Sequence, residues 1–162
     1  MTDAQLTLSP VGHVALDAGG FAVHIAGPYR AALRGLEGFS HVQILWWLHL
    51  ADTPELRKVL DCEQPYRQAP ERLGVFATRS PIRPNPVALS TAEIRDIDVA
   101  AGVVRVNYLD AALRSPVIDL KPYHPSTDRV REAEVPTWCG HWPRWYEDGA
   151  SFNWGAEFVT AH

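Results

Sequence analysis

Arg79 and Arg83 stand four positions apart in the run GVFATRSPIRPNPVALS, residues 74–90, with Pro81, Pro84 and Pro86 among and beside them. A guanidinium is permanently charged and presents a planar fork of donors that matches a carboxylate or a phosphate. Proline fixes φ and removes a backbone donor, so residues 80–86 read as a stiff loop, neither helix interior nor central strand. Such a loop adds little to packing and is read as a recognition element for an anion. Arg83 has two open readings, a brace for the loop or a phosphate contact.

Asp119 is the second group with chemical potential. It lies between Ile118 and Leu120 in VIDLKPY, where a carboxylate is costly to bury without a partner. From its setting alone it reads as a structural ion pair with an arginine or Lys121. His41 and His49 are separated by about 26 Å if the strand is straight, so they cannot share a metal. Cys139 and His141 form a CxH pair without companions, and no metal site is expected. No GxSxG, no GxxxxGK[ST] and no GxGxxG after a strand occur, which speaks against a nucleophile elbow, a P-loop and a Rossmann domain.

The charge balance narrows the partner. The net charge is −4, yet residues 67–83 carry Arg67, Arg72, Arg79 and Arg83 against Glu71 alone. A local basic patch on an acidic chain fits a small anion or one phosphate-rich edge of an RNA better than a whole-surface grip on nucleic acid. Cys62 and Cys139 are far apart in sequence and read as unpaired thiols of a reducing compartment. The start MTDAQLTLSP lacks a signal-peptide pattern, and the longest apolar stretch, residues 42–50, is too short to span a bilayer. The expectation is a cytoplasmic protein with no membrane partner.

The elements that must position these groups are mostly strands. Residues 11–16 and 21–25 flank Asp17-Ala18-Gly19-Gly20 as a hairpin, and residues 87–99 and 103–109 flank Ala100-Ala101-Gly102 as a second. Between them, residues 39–50 alternate: Val42, Ile44, Trp46, Leu48 and Leu50 on a core face, His41, Gln43, Leu45, Trp47 and His49 on the other. Residues 29–36 suit one or two helical turns. Thr53 is placed to N-cap a short helix reaching Leu60. Residues 62–73 read as a loop, 116–120 as a strand, and 143–148 as a short helix. Trp138, Trp142, Trp145 and Trp154 mark a Trp-rich tail. That tail has three readings: packing on the domain or a partner subunit, an aromatic wall over a ligand, or a nucleobase-stacking surface. The fold class expected is mainly β, a compact β-barrel with short helices and a Trp-rich C-terminal tail, non-Rossmann. Residues 1–135 form the barrel domain and 136–162 an extension packed on it.

Four segments in this order, GLEGFSH (35–41) leading to a strand that ends in His49, GVFATRSPIRPNPVALS (74–90), YLD (108–110) and SPVIDLKPYHP (115–125), resemble the TsaA-like (TrmO-like) family of S-adenosylmethionine-dependent tRNA methyltransferases. The resemblance spans roughly residues 11–128. It implies a compact β-barrel, a homodimer with the cofactor near the subunit interface, and N6-methylation of threonylcarbamoyl-adenosine in tRNA. Carried over by position, the cofactor contacts fall on His49, Leu50, Ala51, Arg79, Leu89 and Asn107, Tyr108, Leu109 and Asp110. Arg79 would take the carboxylate, Asp110 the ammonium or sulfonium charge, backbone groups at Leu50, Ala51 and Leu109 the adenine edge, and Leu89 the ring face. Asp119 is the catalytic candidate that the resemblance implies, to orient or deprotonate the acceptor nitrogen, with the ion pair as its other role. Family members acting on tRNA carry an insert after the first strand, where this chain runs from Val14 almost directly into its first turn. Their basic stretch before the central motif is here CEQPYRQAPERL, residues 62–73. Two other functions therefore stay open: a non-catalytic S-adenosylmethionine or nucleotide-binding module, and a methyltransferase acting on a small molecule.

Overall fold

The computed structural model describes residues 6–159. The described residues form eight strands: β1 (Gly12–Asp17), β2 (Gly20–Ile25), β3 (His41–Trp47), β4 (Asp61–Glu63), β5 (Arg72–Gly74), β6 (Val87–Asp98), β7 (Val103–Val106) and β8 (Pro116–Pro122). Short 3-10 turns and the four-residue helix α1 (Pro125–Asp128) account for the helical content described. The chain divides into two compact units, one containing the stretch up to Asp52 and Asn85–Arg129, the other Thr53–Pro84 and residues 130–159.

In the first unit six strands pair in the ring order β1-β2-β7-β6-β3-β8, every pair antiparallel, and β8 returns to β1 through Gly12↔Val117 and His13↔Pro116. The mainly β, non-Rossmann expectation holds. Both hairpins form. Asp17 pairs with Gly20, whose φ of +107° is open to glycine, and Asp17 Oδ1 accepts the Gly19 N–H at 2.8 Å. Asp98 accepts the Ala101 N–H the same way at the second turn, where Gly102 has φ +76°.

The alternation along β3 appears as read: Val42, Ile44 and Trp46 are buried, while His41, Gln43, Leu45 and Trp47 are half-buried on the other face. It does not continue to residue 50. The chain turns at Leu48 into a 3-10 turn, His49–Ala51, and Leu50 stands 77% exposed. Inside, the β3 residues meet Val14, Val23, Val104 and Val117, and Leu33 and Leu36 pack against the same cluster from the 27–38 segment. Pro28 starts that segment, and Gly35, at φ +88°, lets it bend between two 3-10 turns.

Several local expectations shift. The strand expected over 103–109 ends at Val106, because the Asn107 side chain takes over the bonding: its Nδ2 donates to Glu93 and its Oδ1 accepts the Tyr108 N–H. Thr53 Oγ1 accepts the Leu56 N–H at 3.2 Å, as a cap should, but the capped segment is a single 3-10 turn, Leu56–Lys58. So short a segment has too few hydrogen bonds to offset helix nucleation. The helix expected at 143–148 is displaced to a 3-10 turn, Glu147–Ala150. The loop expected at 62–73 includes strand residues, since β4 and β5 pair and Arg72 bridges to Asp61 at 2.6 Å across them.

The second unit is built on this two-stranded sheet and an aromatic cluster. Tyr66 stacks on Trp138, with ring centroids 5.5 Å apart, meets Trp142 edge-on at 4.9 Å, and leans on Phe158 at 5.6 Å. Backbone bonds join the same stretches: Arg67 N–H to the Glu157 carbonyl, and Val159 N–H to the Pro65 carbonyl. Among the described residues no helix is long and apolar enough to cross a membrane.

Candidate functional site

The arginine loop belongs to the second unit, and its own side chains hold its shape. Val75–Ala77 form a 3-10 turn anchored by buried Val75. Buried Thr78 donates its hydroxyl to the Val75 carbonyl at 2.9 Å and accepts the Ser80 N–H at 3.1 Å; the Ser80 hydroxyl accepts the Ile82 N–H at 3.2 Å. Half-buried Arg83 donates one guanidinium nitrogen to the carbonyls of Val75, at 3.2 Å, and Thr78, at 3.4 Å. Of the two readings for Arg83, the geometry shows the brace. With prolines at 81 and 84 removing donors, the turn is fixed and little of its backbone is left to satisfy. Arg79 and Phe76 face solvent from it, Phe76 at 81% exposure.

The other expected cofactor residues lie in the first unit. His49, Leu50 and Ala51 occupy the turn after β3, held by the Ala51 N–H to the Leu48 carbonyl, the Leu48 N–H to the Pro86 carbonyl, and the Trp47 indole to Asp52 at 2.8 Å. His49 Nδ1 lies 3.3 Å from the hydroxyl of buried Ser115. Asn107, Tyr108, Leu109 and Asp110 begin the connection that ends at Ser115. Leu109 is buried in the core cluster, Tyr108 is exposed and packs edge-on against Phe21, and Asp110 is exposed. The 49–51 turn and the 107–110 turn thus flank one connection, with its far end against His49.

Leu89 and Asp119 share a sheet row. Leu45 pairs with Leu89 on one side and with Asp119 on the other, all on the half-exposed face, which sets Leu89 and Asp119 about 10 Å apart across two strand spacings. Both oxygens of Asp119 are engaged: Oδ2 pairs with Lys121 at 2.8 Å and Oδ1 accepts the Leu120 N–H at 2.9 Å. The ion pair raises the Lys121 pKa, first through the hydrogen bond and then through charge. Leu120 also lines an apolar cleft of about 350 Å³, together with Leu33, Leu36, Phe39 and Tyr29 and with Asp119 at its wall. None of the nine expected cofactor residues lines that cleft.

Sequence reasoning passed over Tyr66, which sits in the polar stretch before the arginine loop. Its pKa is raised, chiefly by burial, with the Arg79 backbone acting in the lowering direction. Nothing local marks it, because its neighbours Trp138, Trp142 and Phe158 come from a distant part of the chain. No group of three or more His, Cys, Asp or Glu side chains suited to a metal occurs among the described residues.

Comparison with known proteins adds a second line of observation. Residues 10–129 match the family model described as the tRNA-methyltransferase O N-terminal domain. A probable S-adenosyl-L-methionine-binding protein of Methanothermobacter thermautotrophicus is 39% identical over 144 residues, covering 80% of this chain and 98% of that protein. The tRNA (adenine(37)-N6)-methyltransferase of Escherichia coli is 35% identical over 117 residues, 70% of this chain but 49% of that protein. The crystal structure of TrmO from Pseudomonas aeruginosa superposes with a TM-score of 0.62 at 27% identity, over 81% of this chain and 62% of that one. The chain therefore spans less than two thirds of the length of the two methyltransferases, and the tail beyond residue 129 lies outside the family match.

Proposed function

The chain belongs to the tRNA-methyltransferase O N-terminal-domain family, and on that premise we propose that it is an S-adenosylmethionine-dependent methyltransferase whose acceptor is an N6-substituted adenosine in tRNA. The observation that carries the reading is the arginine loop: its polar groups are spent on one another, and Arg79 is held outward on it. In the first unit exposed Asp110 suits the cofactor's ammonium and exposed Leu50 with Leu89 its adenine ring; in the second, the exposed Arg79 guanidinium suits its carboxylate. His49, Ala51, Asn107, Tyr108 and Leu109 supply the turns that place these groups.

Bound there, S-adenosylmethionine supplies a methyl group already activated by its sulfonium charge. The protein's share of the work is then alignment rather than strong base catalysis. By the family resemblance Arg79 is assigned the carboxylate and Asp110 the ammonium. Asp119, paired with Lys121 and in the same sheet row as Leu89, is the carboxylate we assign to orient the acceptor nitrogen. A homodimer, read by light scattering, belongs to the same proposal; a monomer at working concentration would remove it.

The test is transfer of labelled methyl from S-adenosylmethionine to bulk tRNA, with tRNA association falling steeply as salt rises. Cofactor binding without transfer to tRNA or to a pool of small molecules would sink the enzyme reading. The second reading, a non-catalytic S-adenosylmethionine-binding module, is favoured by one observation, the full engagement of both Asp119 oxygens.

A further inference from the structure

The ring of strands in the first unit closes over a short stretch only. β8 meets β1 through Gly12↔Val117 and His13↔Pro116, then runs on to Pro122 paired with β3, through Leu45↔Asp119, Ile44↔Leu120 and Val42↔Pro122. Beyond Val117, β8 therefore has β3 on one side and no described strand on the other. The apolar cleft of about 350 Å³ lies in that seam, and every residue lining it belongs to the first unit. Val11 and Ile25 bound it from the side of β1 and β2, and Leu120 and Pro122 from the side of β8. Leu33 and Leu36, both buried, reach into it from the 27–38 segment. A volume at the lower end of those of small-molecule sites suits a flat body of roughly one or two rings.

The charge at the rim narrows what such a body carries. Arg34 and Tyr29 line the cleft from the 27–38 segment, and both are exposed. Neither side chain has a hydrogen-bond or ion-pair partner among the described residues. The acid in the lining, Asp119, is already engaged: Oδ2 pairs with Lys121 at 2.8 Å and Oδ1 accepts the Leu120 N–H at 2.9 Å. Glu37, close in sequence, does not line the cleft and accepts the Gly35 N–H at 2.8 Å. The charge left uncompensated at the cleft is thus positive. We propose that the cleft is a binding site for a small aromatic carboxylate, with its ring against Leu33, Leu36 and Leu120 and its carboxylate at Arg34, Tyr29 serving as a second donor. The planar guanidinium fork matches a carboxylate, and the apolar floor disfavours a body with polar groups of its own. None of the nine residues assigned to S-adenosylmethionine lines the cleft, so the site stands whether or not the chain transfers methyl groups.

Calorimetry with indole-3-acetate and with indole-3-acetamide, its neutral amide of nearly the same shape, tests the site on wild type, Arg34→Gln and Ala32→Trp. Both positions are exposed and outside the core cluster, and thermal unfolding checks that the variants fold. Ala32 lines the cleft, so an indole side chain placed there fills it from the rim. Wild type is expected to bind the acetate more tightly than the amide. Arg34→Gln is expected to weaken the acetate by about fivefold, a modest factor because Arg34 is exposed, and to leave the amide within about twofold. Ala32→Trp is expected to weaken both by at least about tenfold. Unchanged binding in Ala32→Trp puts the ligand elsewhere and overturns the site. An Arg34→Gln protein that weakens both ligands alike, or neither, overturns the carboxylate contact. No binding of either ligand to wild type overturns the proposal as well; if Ala32→Trp then breaks up a dimer seen by light scattering, a second copy of the chain covers the cleft instead.

Discussion

Replacing Arg83 by alanine tests whether the second arginine of the motif supports the loop or meets a ligand. The substitution removes two donor contacts, at 3.2 and 3.4 Å, from the carbonyls of Val75 and Thr78. A hydrogen bond from a charged donor contributes about 1.5–3 kcal/mol at good geometry. Both contacts are long and Arg83 is only half-buried, so about 1–2 kcal/mol in total is the expected loss. For a chain of this size that lowers the melting temperature by roughly 2–8 °C. Thermal unfolding of wild type, Arg83→Ala and Arg79→Ala gives the comparison, with Arg79→Ala within about 0.5 kcal/mol of wild type as a surface change. If Arg83 instead contacts a phosphate, Arg83→Ala melts like wild type and lowers the salt slope of tRNA binding by about one. That pair of results would refute the brace.

Asp119→Asn breaks the Lys121 pair at an exposed position and is expected to cost less than about 1 kcal/mol of stability, measured by urea unfolding, while methyl transfer falls at least tenfold with cofactor affinity unchanged. Equal transfer in Asp119→Asn would leave it a structural ion pair. The second unit should also lose stability in acid. The Trp142 indole, and next the His141 ring, hold the Glu157 pKa below the ordinary carboxylate value. A depressed folded value means the contribution is complete above the unfolded pKa and is lost as pH falls through the folded one. Tryptophan fluorescence at acid pH should therefore show wild type losing more structure, relative to neutral pH, than Glu157→Gln; identical acid profiles would contradict the linkage.

Where local signals were strong, residue pattern and structure agree. The two glycine-containing turns required φ values open to glycine, and the hairpins formed around them. Strict alternation along residues 41–47 identified β3 and its core face. The Arg-Pro motif was legible as a stiff loop because proline acts on its own φ. What escaped depends on neighbours distant in sequence. Strands β4 and β5, three residues each, are too short to show a period, and they exist because they pair with each other across a polar stretch. The grouping of 53–84 with 130–159 has no sequence signature, since aromatic rings do not announce their partners. Tyr66 was unreadable for the same reason, and so was the brace role of Arg83, which depends on two carbonyls of the turn just before it.

Because the second unit is made of two stretches, its assembly has a timetable. Residues 53–84 leave the ribosome well before 130–159, Val159 following Pro84 by 75 positions. At bacterial-to-eukaryotic elongation rates the arginine loop waits about 4–15 s for the aromatic rings that complete its surroundings. During that interval Tyr66 has no Trp138, Trp142 or Phe158 to pack on, and its ring stays open to water or to chaperones. The unit that carries Arg79 is thus completed late in synthesis, and a chain interrupted near residue 129 would leave Tyr66 without these partners.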